Sequence, residues 1–292
     1  MGMKSMRLNS ARGVPPRSQS RAPHRGAAGD KAARLIVMRH AERLDRLFPN
    51  WLQDTMANGY YQPYDINQPL SIIPRKSPVD YEDDSPITEI GVVSAQMIGR
   101  ALRITNSTPD CIYVSPALRC IQTATSAAKM FENPPTIRVE PGLFEWMKWY
   151  TVPPVWLSLD EMGELEWPID FNYEPMVSEE QLSFEKSNES VPEYMKRTSN
   201  VLDQIVKEHA GECVLVVAHA PTLDATRTLL GRDCKYITEK DLERMGQPYP
   251  YCSTIVLESD ENGLFRPNTN LIPPISYLDS TSRPNYDIYD RD

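Results

Sequence analysis

Two short apolar runs constrain this chain more than any other feature, because each ends on a histidine. Leu35 to Met38 is followed at once by Arg39-His40, with Arg43 three positions further on. Cys213-Val-Leu-Val-Val-Ala218 is followed directly by His219. Runs this short and this apolar suit strands buried on both faces, the condition of a parallel sheet covered by helices. In such a sheet ligands bind in the crevice beyond the carboxyl ends of the strands. A strand that delivers a histidine between two arginines to that crevice points to an anion, most simply a phosphate, whose oxygens match the planar arginine fork.

The intervening sequence alternates helix and strand. From Thr88, residues Ile90, Val93, Met97, Ile98, Ala101 and Leu102 fall on one helical face and are expected to meet the core. Asp110 to Val114 reads as the next strand, with Ser115 as N-cap and Pro116 as first residue of the helix that carries Arg119. Arg119 would then lie at the positive end of that helix, where an anion is favoured. Ile137 to Val139 is a short strand candidate. Ser190-x-x-Glu193 is a capping box opening a helix with Tyr194, Met195, Val201, Leu202, Ile205 and Val206 on its apolar face. A further helix from about Pro221 should end before Gly231, and Ser253 to Leu257 reads as an edge strand. The expected fold is therefore α/β, a mainly parallel central sheet with helices on both faces.

Two stretches break the alternation. Residues 44–86 and 146–190 are rich in aromatic residues and proline without a clear period, and are expected to cap the sheet. Residues 1–33 are rich in Arg, Ser, Pro and Gly and are expected to be a disordered basic tail before one domain spanning 34–292. The last twenty or so residues also look poorly structured.

Charge narrows the partners. Residues 1–34 carry eight basic residues against Asp30, so +7 of a chain whose net charge is −9; the remainder is −16. So acidic a body argues against nucleic acid. No apolar stretch is long enough for a membrane span. Five cysteines without close spacing suggest neither a disulfide framework nor a zinc site, and a reducing, cytoplasmic setting. No cofactor and no metal are expected; a homodimer is kept as a candidate assembly.

Beyond the strand ends lie Arg39, His40, Arg43, Arg119, Glu145 and His219. Of the four histidines, only His40 and His219 directly follow strongly apolar strands. A histidine can attack phosphorus and divide one displacement into two, while arginines stabilise the phosphoryl oxygens. Glu145, flanked by Phe144 and Trp146, is the candidate proton donor, and those rings are expected to desolvate it and raise its pKa.

Four motifs in order carry a family resemblance. Arg39-His40-Ala41-Glu42-Arg43 resembles the RHG signature of the histidine phosphatase superfamily, with alanine in the glycine position. Pro86-Ile-Thr-Glu-Ile-Gly91 with Gln96, Ser115-Pro-Ala-Leu-Arg119-Cys-Ile-Gln-Thr-Ala124 and Val217-Ala-His219 resemble its later motifs. The resemblance covers roughly residues 34–260 and implies the phosphoglycerate-mutase-like fold. It implies His40 as nucleophile, Glu145 as proton donor, and Arg39, Arg43, Arg119 and His219 around the phosphoryl group. Val139-Glu-Pro-Gly-Leu-Phe-Glu-Trp146-x-Lys148-Trp149 is most similar to the TULA/Sts and ecdysteroid-phosphate phosphatase branch. That implies a metal-independent phosphomonoesterase acting on aryl phosphates such as phosphotyrosine, or on polycyclic phosphate esters. A phosphomutase, or a catalytically weak protein that binds a phospho-ligand, are the competing readings.

Overall fold

The computed structural model describes residues 32–185, 189–234, 237–277 and 280–287. Residues 1–31, most of the expected basic tail, lie outside the described residues. The described residues begin with β1 (Arg34–Arg39) and two short helices, α1 (Leu44–Leu47) and α2 (Trp51–Thr55). Then come α3 (Glu89–Ile104), β2 (Cys111–Val114), α4 (Leu118–Ala128) and β3 (Ile137–Val139). The second irregular stretch holds α5 (Leu159–Gly163) and α6 (Glu179–Glu185). They are followed by α7 (Val191–Glu208), β4 (Cys213–Ala218), α8 (Ala220–Ala225), α9 (Glu239–Arg244) and β5 (Thr254–Ser259). Three short strands close the described chain: β6 (Phe265–Pro267), β7 (Ser276–Tyr277) and β8 (Ser280–Thr281).

Six strands form one sheet in the order β3-β2-β4-β1-β5-β6. β3, β2, β4 and β1 pair in parallel, and β5 and β6 are added antiparallel. Alternate residues of each strand feed two separate cores. Ile36, Met38, Ile112, Val114, Leu215 and Val217 face α3 and α4. Leu35, Val37, Tyr113, Val214, Val216 and Ala218 face α7 and α8. This two-sided burial is why the strands read as unbroken apolar runs. Among the described residues, no helix is long and apolar enough to cross a membrane.

The register places the site. Arg39 pairs with Ala218, and the His40 amide donates to the Ala218 carbonyl at 2.8 Å. Val114 pairs with both Val217 and Val139. Four parallel strands thus end at one level, and the residues that follow them share one crevice.

Three local expectations need correction. On α3, Ile90, Val93 and Met97 are exposed, whereas Gly91, Ala95, Ile98, Gly99 and Leu102 face inward. The reason is the close approach of α4: a Cβ at Gly99 would lie 2.2 Å from the Ala127 carbonyl oxygen, so the inward stripe must be small. β5 is not the edge, because β6 pairs on its outer side, where Pro267 is tolerated. The C-terminal stretch is structured where described. β7 and β8 form an antiparallel pair, and the Ser253 hydroxyl donates to the Ser282 carbonyl at 2.8 Å. The α8 segment continues as a 3-10 turn, Thr226–Leu230, closed by Gly231 at φ +74°, as the glycine suggested.

Candidate active site

His40 is 3 % exposed at the end of β1. Its Nδ1 lies 2.9 Å from the Ala41 carbonyl oxygen. A carbonyl only accepts, so Nδ1 carries the proton and Nε2 keeps its lone pair. Burial lowers the pKa of this ring well below the ordinary histidine value, and the charges of Arg119, Arg39 and Arg43 lower it further. His40 is therefore a neutral imidazole with a fixed tautomer and one free nitrogen, the form a nucleophile needs.

The three predicted arginines converge on this ring, each held by a different device. Arg39 stacks over the Tyr251 ring at 4.3 Å and donates through Nη1 to the Tyr249 carbonyl at 2.6 Å. Arg43 makes a bidentate pair with Asp45, at 2.9 and 2.7 Å, which leaves Nη1 3.9 Å from Glu145. Arg119 is fully buried near the start of α4 and donates through Nη2 to Glu145 Oε1 at 2.5 Å. Its Nε and Nη1 have no partner among the described residues, nor does Nε of Arg39. Buried donors without acceptors are costly, and an oxyanion held here would satisfy them.

α4 does not begin as expected. Its first residue is Leu118, with Ala117 as N-cap, and the Ser115 hydroxyl makes no cap bond. Ser115 Oγ instead lies 2.8 Å from His219 Nε2. The amide of Leu118 is capped over a long sequence distance by Asp84 Oδ1 at 2.7 Å. The serine was drawn away because β2 and β4 end side by side, with His219 beyond the same level. Arg119 is the second residue of α4, so the helix dipole still favours an anion beside it.

His219 ends β4 with its ring centroid 5.5 Å from that of His40. Burial lowers its pKa to about 3, Glu145 opposes the shift, and the surrounding arginines add to it. The ring is neutral, with Nδ1 3.4 Å from Glu145 Oε2.

Glu145 is where expectation and structure part. Burial does push its pKa up, as Phe144 and Trp146 suggested. Arg119, then Arg43, together with a bond from the Tyr150 hydroxyl, more than offset that and hold the carboxyl far below its usual range. The charges win because Arg119 is in direct contact at 2.5 Å inside a buried site. In the free protein Glu145 is a carboxylate.

All six predicted residues therefore share one crevice. Sequence reading missed the residues that hold them: Asp45 on Arg43, Asp84 at the start of α4, Ser115 on His219, Tyr150 on Glu145 and Tyr251 beside His40. Asp45 follows its arginine by two positions and carried the only local signal. In the two aromatic stretches Trp51, Trp146 and Trp156 are all buried. Ala41 is fully buried among the core residues, with its amide donating to Thr123 Oγ1 at 2.9 Å. Its methyl group is therefore buried in the core.

Known proteins resemble this chain in sequence and fold. The chain is 37 % identical over 238 residues to the ecdysteroid-phosphate phosphatase of Drosophila melanogaster, covering 80 % of this chain and 31 % of that protein. It is 35 % identical over 254 residues to human ubiquitin-associated and SH3 domain-containing protein B, covering 83 % of this chain and 38 % of that protein. This chain thus spans about a third of the length of these relatives. A crystal structure of the Bombyx mori ecdysone phosphate phosphatase in complex with tungstate superposes with a TM-score of 0.71 at 26 % identity, covering 85 % of this chain and 96 % of that one. Residues 75–267 match the family model of the histidine phosphatase superfamily, branch 1. With the strand-end histidines and converging arginines in place, this chain belongs to the histidine phosphatase superfamily.

Proposed function

We propose that the protein is a phosphomonoesterase that works through a phosphohistidine on His40 and needs no metal ion. The observation that carries this reading is the pairing of a neutral, tautomer-fixed His40 with the buried Arg119, two of whose nitrogens lack a partner among the described residues. His40 Nε2 attacks phosphorus as the bond to the leaving oxygen breaks, and that oxygen takes a proton from Glu145. Water then attacks the phosphohistidine and returns a proton to Glu145, releasing phosphate and free His40. Arg39, Arg43 and Arg119 supply the charge that stabilises the transferring group.

Glu145 is ionised before substrate arrives, so the proton must come with binding. A phosphate dianion draws Arg119 and Arg43 toward its own oxygens and adds negative charge beside the carboxylate. Both effects raise the Glu145 pKa, so the site acquires its acid only when occupied.

The leaving group is proposed to be an aryl or polycyclic alcohol. Tyr251 stands 5.6 Å from the His40 ring. It also walls a largely apolar cleft of about 480 Å³ bounded by Ile90, Val93, Met97 and Tyr277. That volume lies in the range of small-molecule sites, and the relatives named for ecdysteroid-phosphate hydrolysis act on an ester of that kind. A cytoplasmic setting is part of the proposal, because all five cysteines are unpaired.

The test is direct. Purified protein in EDTA should hydrolyse p-nitrophenyl phosphate and carry acid-labile, base-stable phosphate after rapid quenching. His40→Ala should abolish both. Retention of more than a few per cent of the rate in His40→Ala would overturn the nucleophile, and loss of activity restored by a divalent ion would overturn the metal-free reaction.

A further inference from the structure

Tyr150 follows the 3-10 turn Met147–Trp149, its ring 5.4 Å from that of Phe144. Its hydroxyl donates to Glu145 Oε1, the oxygen that also accepts from Arg119 Nη2. The other oxygen, Oε2, faces His219 Nδ1 at 3.4 Å. The two oxygens of this carboxyl are therefore unlike: one is occupied by two donors, and the other faces the ring that lies beside His40.

We infer that Tyr150 is a positioning residue for proton transfer, fixing the Glu145 carboxyl so that its transferable proton resides on Oε2. The inference rests on the reading of Glu145 as the acid. A neutral carboxylic acid bears one proton, and a proton on Oε1 would confront the Tyr150 O–H already aimed at that atom. Oε2 is left as the site of protonation. As the phosphorus–oxygen bond breaks, its electron pair stays on the leaving oxygen, which takes the Oε2 proton. The Tyr150 proton stays on Oη throughout. Burial, and next the adjacent carboxylate, push the Tyr150 pKa up, so the hydroxyl remains a donor.

A donor to the ionised form also makes the acid give up its proton more readily. Tyr150 thus combines two effects, orientation and acidity, on a residue it does not replace.

The experiment measures single-turnover phosphorylation of His40 by p-nitrophenyl phosphate, phenyl phosphate and an alkyl phosphate. It compares the wild type with Tyr150→Phe, Glu145→Gln and the double variant. Tyr150→Phe should lose about tenfold with the alkyl ester and less than about twofold with the nitrophenyl ester, because only a poor leaving group needs the proton. The double variant should be no slower than Glu145→Gln alone. The alkaline limb of the Tyr150→Phe rate should move up by about one pH unit, as expected for losing one hydrogen bond to a charged group. Replacing Tyr150 by 3-fluorotyrosine keeps the ring, strengthens the donor and should move that limb down. This second arm stands even if Tyr150→Phe does not fold.

Equal losses across the esters for Tyr150→Phe, or additivity with Glu145→Gln, would overturn the role of Tyr150 while leaving Glu145 as the acid. Equal losses across the esters for Glu145→Gln itself would overturn the acid and Tyr150 together.

Discussion

The carboxylate of Asp84 and the amide of Leu118 are joined by a 2.7 Å hydrogen bond across 34 residues of sequence, directly before the arginine at the centre of the site. The other oxygen of Asp84 accepts from Arg75 Nη1 at 3.1 Å, and Arg75 Nη2 donates to the Val155 carbonyl. One buried carboxylate thus ties the first cap segment to the second and both to the start of α4. Arg119 takes its aim from that anchor.

Replacing Asp84 by Ala should remove the helix cap and leave the Arg75 charge buried without its carboxylate. Breaking a buried pair from one side typically costs about 3 kcal/mol or more. The expected result is a large fall in the denaturation midpoint with a further loss of kcat, on the order of tenfold, from a misplaced Arg119. Urea unfolding and steady-state rates on p-nitrophenyl phosphate measure both. Unchanged stability would mean that the Asp84 contacts contribute nothing net.

Stability should also depend on pH in a manner set by four buried groups. His40 lies well below 6.5 and His219 at about 3 in the folded chain, so both bind protons on unfolding in acid. Their contribution is present above 6.5 and is lost as pH falls. Glu145, held below its ordinary 4.5, acts in the same direction at lower pH. Asp84 opposes them. Burial, offset in part by Arg119, the Leu118 amide and Arg75, leaves its pKa at about 6 against an ordinary 3.8. It therefore binds its proton more tightly when folded, and its contribution grows as pH falls from 6 to 3.8. The unfolding free energy should decline from pH 7 to pH 4.5, and more steeply in Asp84→Asn, which lacks the opposing group. Parallel profiles for the two proteins would remove Asp84 from this account.

Much of this was legible in the sequence because it is carried by local pattern. Apolar runs such as Val214 to Ala218 announce a two-sided sheet, and the histidines and arginines just beyond them are placed by the strand ends alone. What was hidden depends on packing between distant segments. Ser115-Pro116 is a sound N-cap signal, yet the hydroxyl is taken by His219, which only the parallel pairing of β2 with β4 brings near. The outward turn of Ile90, Val93 and Met97 follows from the Gly99–Ala127 contact, which no helical periodicity encodes. The Glu145 pKa was misjudged because its neighbours in sequence are aromatic whereas its neighbours in space are cationic.

Ala41, which stands where the signature has glycine, should be neutral for chemistry. Its methyl group is buried in the same core cluster as Met38 and Leu44. Ala41→Gly should cost about 1–2 kcal/mol, from one lost methyl contact and added chain entropy. The rate should change by no more than about threefold, under 1 kcal/mol of barrier. A large gain in kcat would show that the alanine obstructs the pocket after all.

The last prediction concerns the proton that Glu145 must acquire. In the free site Arg119 contacts Glu145 at 2.5 Å, and Arg43 stands 3.9 Å away with Asp45 paired to it, so two cations are matched by two carboxylates. An entering dianion shares those cations and faces the carboxylate across a few ångströms of low-dielectric space. Two like charges so close cannot both stay fully ionised, and the carboxylate can yield by taking a proton. Sulfate is the useful probe, because it is a dianion with no proton of its own to give near neutral pH. Its binding to wild-type protein should consume protons, seen as a heat that varies with the ionisation enthalpy of the buffer. Its affinity should weaken as pH rises toward the bound-state pKa, by up to about tenfold per unit, and level off above it. Glu145→Gln should bind sulfate more tightly at high pH, without proton uptake and without that slope. Should wild-type binding release or consume nothing, the carboxylate remains ionised beside the anion. The acid in catalysis would then have to be another group, with the carboxylates of residues 80 to 84 the next to test.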